Sequence, residues 1–203
     1  MKMGSNITGD DYMLLMDEIS MDFPDFEVIK KSDSTLMKAI NIALRIITFN
    51  QMKTFMTSFT TTLGNTVYVP ESWDIRDITS RWITLSHERV HMEQAKKYGR
   101  LWFSILYMLC LPALFAFYRT KFEKEAYEVS LRCQYQAYGP ASFTDSSKGH
   151  VVDHFTTGQY LWMWILSSGI EEWYDEVVLR IHEEDDHDDV RIREFDEENE
   201  EGE

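Results

Sequence analysis

Between Asp77 and Tyr98 the chain runs for twenty-two residues without Gly or Pro, and at its middle stands His87-Glu88-Arg89-Val90-His91. Asp77, Thr79 or Ser80 can cap the start and Gly99 ends it, so the stretch predicts a helix. On a helix a spacing of four puts His87 and His91 on one face, one turn apart. Two neutral imidazoles so placed can share a zinc ion at about 2.0–2.1 Å each. Glu88 lies about 100° round from His87, within reach of a water on that metal, whereas Arg89, about 200° round, points to solvent. A catalytic zinc site takes three protein ligands and keeps one position open. The fold must therefore bring a third ligand back from elsewhere.

Arg119–Tyr138 is rich in Glu, Lys and Ala and stops at Gly139-Pro140, which predicts a second helix. Returning antiparallel to the first, it offers Glu123, Glu125 or Glu128 to the metal, and spacing alone does not choose among them. Between the two helices lies Leu101–Tyr118, eighteen residues without a charge. As one helix it would span about 27 Å against a hydrocarbon core of about 30 Å, and Pro112 breaks it. A straight span would also put Glu123 across the bilayer from the histidines. The expectation is a helical hairpin, buried or touching a membrane, that carries Glu123 back.

Elsewhere the patterning is mixed. Residues 1–34 read as a polar leader with one short helix on Tyr12, Leu15, Met16 and Ile19, ended by Pro24. Thr35–Asn50 reads as a core-facing helix through positions 36, 37, 40, 44 and 47. Phe55–Thr62 and Thr66–Val69 read as a β-hairpin about Gly64-Asn65, closed by Pro70. Ala141–Gly158, with His150 and His154, reads as a loop, and Gln159–Ile181 as a last, aromatic helix through Tyr160, Trp162, Trp164, Trp173 and Tyr174. The fold class expected is α+β and mostly helical, with the hairpin packed on the two site-bearing helices.

Composition bounds the function. With 44% hydrophobic and 14% aromatic residues the chain can fold without disulfides. Cys110 and Cys133, the two cysteines, give no disulfide framework and point to a reducing compartment. The first twenty residues lack the apolar core of a secretory signal. Of the net charge of −15, residues 182–203 carry −11, which reads as a disordered acidic tail. That balance argues against nucleic-acid binding.

His-Glu-x-x-His followed by a helix with a Glu three residues before an Ala resembles the gluzincin class of zinc metallopeptidases. The wider stretch 55–138 resembles small, poorly characterised bacterial and phage metallopeptidases. It has a Thr-rich strand with Gly and Tyr-x-Pro (Thr60 to Pro70), a His-Glu helix ending in Gln94, and a Glu-x-x-Ala-Tyr helix (Glu123 to Tyr127). The resemblance implies Zn²⁺ on His87, His91 and Glu123, with Glu125 next in line. The metallopeptidase-like domain expected spans 35–181, and the protein is expected to be cytoplasmic or virion-associated, with the uncharged run 101–118 offering a membrane contact. Tyr127 stands where related families often place an acidic residue behind a ligand.

In the chemistry this implies, Glu88 takes a proton from the water and passes it to the leaving amine. His150, His154 or Tyr160 supplies a donor to the oxyanion, His154 being preferred. The substrate is a peptide or protein added along the edge of the Phe55–Thr62 strand. The competing expectation is a non-enzymatic structural or interaction protein, of a virion or a membrane-associated assembly, with a vestigial metal site.

Overall fold

A computed structural model describes residues 4–50, 52–108, 116–157 and 167–200. The protein is α+β and mostly helical, with one small sheet. Helix α1 (Gly9–Asp22) starts at a capping box in which Thr8 and Asp11 exchange hydrogen bonds. Strand β1 (Glu27–Lys30) follows, then α2 (Thr35–Ile47), capped by Ser34. Strands β2 (Thr61–Leu63) and β3 (Thr66–Val69) form a hairpin turning at Gly64, whose φ of 65° suits glycine. Helices α3 (Ile78–Tyr98), α4 (Arg100–Met108), α5 (Ala116–Tyr138), α6 (Asp145–Thr156) and α7 (Ser168–Glu200) complete the fold.

The sheet order is β1-β3-β2, with β1 parallel and β2 antiparallel to the central β3. Alternation along β3 sorts its side chains between two layers. Val67 and Val69 are buried against α1 and α3, in a cluster with Tyr12, Leu15, Ile19, Trp73, Leu85 and Met92. Tyr68 packs instead with Met37, Phe55 and Phe59, on the side of α2. Helix α5 packs along α3. Helices α6 and α7 close the far side through Leu131, Val151, Val152, Phe155, Ile170 and Val177. Truncating a member of these clusters such as Leu85 to Ala costs about 2–5 kcal/mol.

Several expectations are corrected. The leader is part of the body: β1 lies in the sheet, α1 covers α3, and the Ser5 amide donates to the Gln136 carbonyl on α5 at 2.7 Å. The first hairpin strand is three residues, not eight, because Phe55 and Phe59 sit a helical turn apart and both turn toward Met37. In α2, Met37 is buried and Ile40 and Leu44 are partly so, but Leu36 and Ile47 are exposed. The segment 141–158 holds helix α6, started by a Thr144–Ser147 capping box and anchored by Val151, Val152 and Phe155. The acidic segment continues α7 as helix to Glu200. Its start docks on α5 and the loop after it: Arg132 binds Glu184, the Tyr135 hydroxyl donates to Asp185 at 2.8 Å, and His182 stacks on Phe143.

Among the described residues no helix is long and apolar enough to cross a membrane. Helix α4 turns back from α3 at Gly99 (φ 85°) and buries Phe103 against Phe122 of α5. Pro112 and Cys110, and Tyr160, Trp162 and Trp164 of the aromatic segment, lie outside the described residues.

Candidate metal centre

Helix periodicity builds the site from two facing stripes. On α3 the stripe is His87, His91 and Gln94, with Glu88 beside it. On α5 it is Arg119, Glu123, Tyr127 and Ser130, at intervals of four, four and three. Their meeting brings His87, His91 and Glu123 together, with one potential ligand atom from each lying within 4.8 Å of the others. His87 Nε2 lies 3.5 Å from one Glu123 oxygen and His91 Nε2 lies 3.7 Å from the other. Ligands tetrahedrally placed about 2.0–2.1 Å from a zinc ion sit roughly 3.3 Å apart. The spacing thus fits an ion between the groups better than direct hydrogen bonds.

The hydrogen bonds behind the ligands fix their tautomers. Ser130 Oγ donates to the Ala126 carbonyl at 3.2 Å, so it accepts from His87 Nδ1, 3.0 Å away. The Gln94 amide nitrogen donates to the Phe122 carbonyl at 3.0 Å and to Glu125 at 2.9 Å. Its oxygen is left to accept from His91 Nδ1 at 2.9 Å. Both imidazoles therefore carry the proton on Nδ1 and turn an Nε2 lone pair toward Glu123, as a metal ligand requires.

Electrostatics point the same way. Burial opposes charge on His87, but the Glu123 carboxylate outweighs it and leaves the imidazole easier to protonate than usual. Burial works against ionised Glu123 too, yet His91 and His87 hold its pKa far below the ordinary carboxylate range. The Glu123 carboxylate and the two imidazoles thus favour positive charge between them, which a proton can provide. Of the other candidate ligands, Glu125 supports Gln94, and Glu128 is taken by Arg132 at 3.1 Å and Arg180 at 3.0 Å.

Glu88 is 6% exposed, and one of its oxygens accepts from Thr62 Oγ1 of β2 at 2.6 Å. Arg89 turns outward and binds Glu18 and Asp22 of α1 at 2.9 and 2.7 Å. Exposed pairs of this kind are worth about 0.2–1 kcal/mol each, so they orient α1 more than they hold it. Tyr127 packs edge-on against His87, ring centres 5.0 Å apart.

A cavity of about 850 Å³ opens on His87, His91, Glu123 and Glu88. Met37, Ile40, Leu44, Met52, Phe55 and Phe59 form its apolar wall; Arg119, Tyr127, His150 and His154 lie on the wall bearing the ligands. His154 faces Phe59 and Tyr127 with ring centres at 6.4 and 5.2 Å. Burial pushes its pKa down to about 3, so at neutral pH it is an uncharged imidazole with one N–H to donate. Arg119, Ser130 and the buried Lys31 carry no motif in the sequence, and Gln94 stands in the pattern without a role. The signals for Arg119 and Ser130 are their places one turn before and two turns after Glu123. No protein family, curated protein or solved structure matches this chain.

Proposed function

We propose that the chain is a zinc-dependent peptidase. The observation that carries this reading is the convergence of His87, His91 and Glu123, both Nε2 lone pairs fixed inward, with the buried Glu88 alongside. A zinc ion held by His87, His91 and Glu123 would supply Lewis acidity there. Glu88 receives the proton of the attacking water and returns it to the leaving amine. Thr62 holds one Glu88 oxygen, so the other carries the proton. His154 and Arg119, lining the same cavity, give a neutral donor and a fixed positive charge for the oxyanion that develops on the carbonyl. The cavity admits a polypeptide side chain, and its long apolar wall favours a large apolar one.

Metal analysis and a cleavage assay on denatured proteins test the reading together. Purified chain is expected to hold one zinc, and His87→Ala to lose it. Glu88→Gln is expected to keep the zinc and to lose cleavage by about 10²–10⁴-fold. Full cleavage by metal-loaded Glu88→Gln would remove Glu88 from its role. Stoichiometric zinc with no chelator-sensitive cleavage would favour the structural or interaction protein.

A further inference from the structure

From Ser34 to Pro70 the chain contains no acidic residue, although its net charge is −15. The ionisable side chains in this stretch that carry charge at neutral pH are Lys38, Arg45 and Lys53, all exposed. Helix α2 lies inside it and is apolar on two sides. One side, through Met37, Ile40 and Leu44, lines the cavity. The other, through Ile42 and Ile46 with Ala39 and Ala43 beside them, faces solvent, Ile46 being 71% exposed. At 100° per residue Ile42 and Ile46 lie about 160° round from Ile40 and Leu44. Lys38 and Arg45 fall on one margin of the outer stripe, where long basic side chains reach past an apolar surface to a charged one.

The backbone turns sharply just past the end of α2. Phe49 and Asn50 have φ of 50° and 65°, a region that side-chain-bearing residues rarely adopt. The Phe49 and Asn50 amides donate to the Ile46 and Arg45 carbonyls at 3.2 and 2.6 Å, and Thr48 Oγ1 donates to the Leu44 carbonyl at 2.7 Å. This strained turn leaves Phe49 91% exposed, just beyond Ile46. Strain held by surrounding bonds at an exposed aromatic is an outlier that calls for a function.

We infer that the outer face of α2, with Phe49, docks on an anionic lipid bilayer. Basic residues beside an apolar helix face, with an aromatic at its end, match an interfacial helix whose apolar side sinks about 5–10 Å below the headgroups. An isologous contact with a second copy would bring the Lys38 and Arg45 side chains of both copies together, against like charge. At physiological salt exposed charges more than about 8 Å from the lipid are largely screened, so the net negative charge of the chain opposes docking mainly at low salt. Docking sets the apolar wall of the cavity next to the lipid surface. The inference stands on α2 alone and not on the metal reading.

Co-sedimentation of the full chain with phosphatidylcholine vesicles, with and without about 30% phosphatidylserine, tests it. The chain is expected to pellet with the anionic vesicles at physiological salt, less so as salt rises further, and to stay in solution with the neutral ones. Lys38→Gln with Arg45→Gln is expected to weaken binding by about tenfold or more. Ile42→Asp with Ile46→Asp is expected to abolish it while circular dichroism stays as in the wild type, since both side chains are exposed. Leu179→Asp, an exposed apolar position on α7, serves as control and is expected to bind normally. Wild-type protein left in the supernatant with anionic vesicles at physiological salt would overturn the inference. So would a dimer, seen by sedimentation velocity, that the Ile42/Ile46 pair of substitutions dissociates.

Discussion

A lysine ammonium shut off from water loses its hydration, and few contacts make up the loss. Lys31 is 0% exposed; its Nζ donates to the Phe55 carbonyl at 2.8 Å and lies 3.7 Å over the Phe55 ring. Burial brings its pKa down to about 7, with the Glu88 carboxylate acting in the opposite sense. In the unfolded chain the value is about 10.4. Between these two pH values the unfolded chain holds a proton that the folded one has released, so stability rises with pH across the window. Below about 7 both states are charged and the burial penalty is fully present. Urea unfolding of Lys31→Met is expected to show this rise gone between pH 7 and 10; a slope equal to that of the wild type would count against it. His87, Glu88 and His91 are legible in sequence because helix periodicity alone puts them together. Lys31 is not, since its burial is decided by a phenylalanine twenty-four residues later.

Among the links between helices α3 and α5 is Gln94, which bonds His91, the Phe122 carbonyl and Glu125. Removing it frees the His91 ring to rotate and to change tautomer. Gln94→Ala is therefore expected to weaken zinc binding by about 10–100-fold, measured by competition with a chelating dye, while the helices still form. Unchanged affinity would mean that packing alone orients His91. Both helices were legible from uninterrupted runs bounded by Gly99 and Gly139. Helix α6 was not, because Ser146, Ser147 and Gly149 look like loop until Thr144 is seen as a cap. The strand EVIK of β1 carries little signal over four residues, and its parallel partner lies almost forty positions on.

For the whole molecule, a metal bound between α3 and α5, as proposed, would join the sheet side of the fold to the α6–α7 side. Zinc at about 100 times its Kd is expected to add roughly 2.7 kcal/mol to stability, or about 5–10 °C in Tm for a chain of this size. A thermal scan with and without a chelator checks it, and equal midpoints would exclude a bridging ion. Protons compete for the same lone pairs, so this gain is expected to shrink as pH falls through the raised His87 pKa. The fold class was legible because two long helices and a hairpin signal dominate the chain. The unity of residues 9–33 with the rest was hidden in contacts between distant segments. Parallel pairing of β1 with β3 makes residues 31–60 a closed excursion that leaves the sheet and comes back to it. That excursion brings much of the greasy wall and none of the three ligands or Glu88. Under the proposed reading, preference and chemistry would lie in separable stretches of one gene, so exchanging residues 31–60 would change the cavity wall while leaving His87, Glu88, His91 and Glu123 in place.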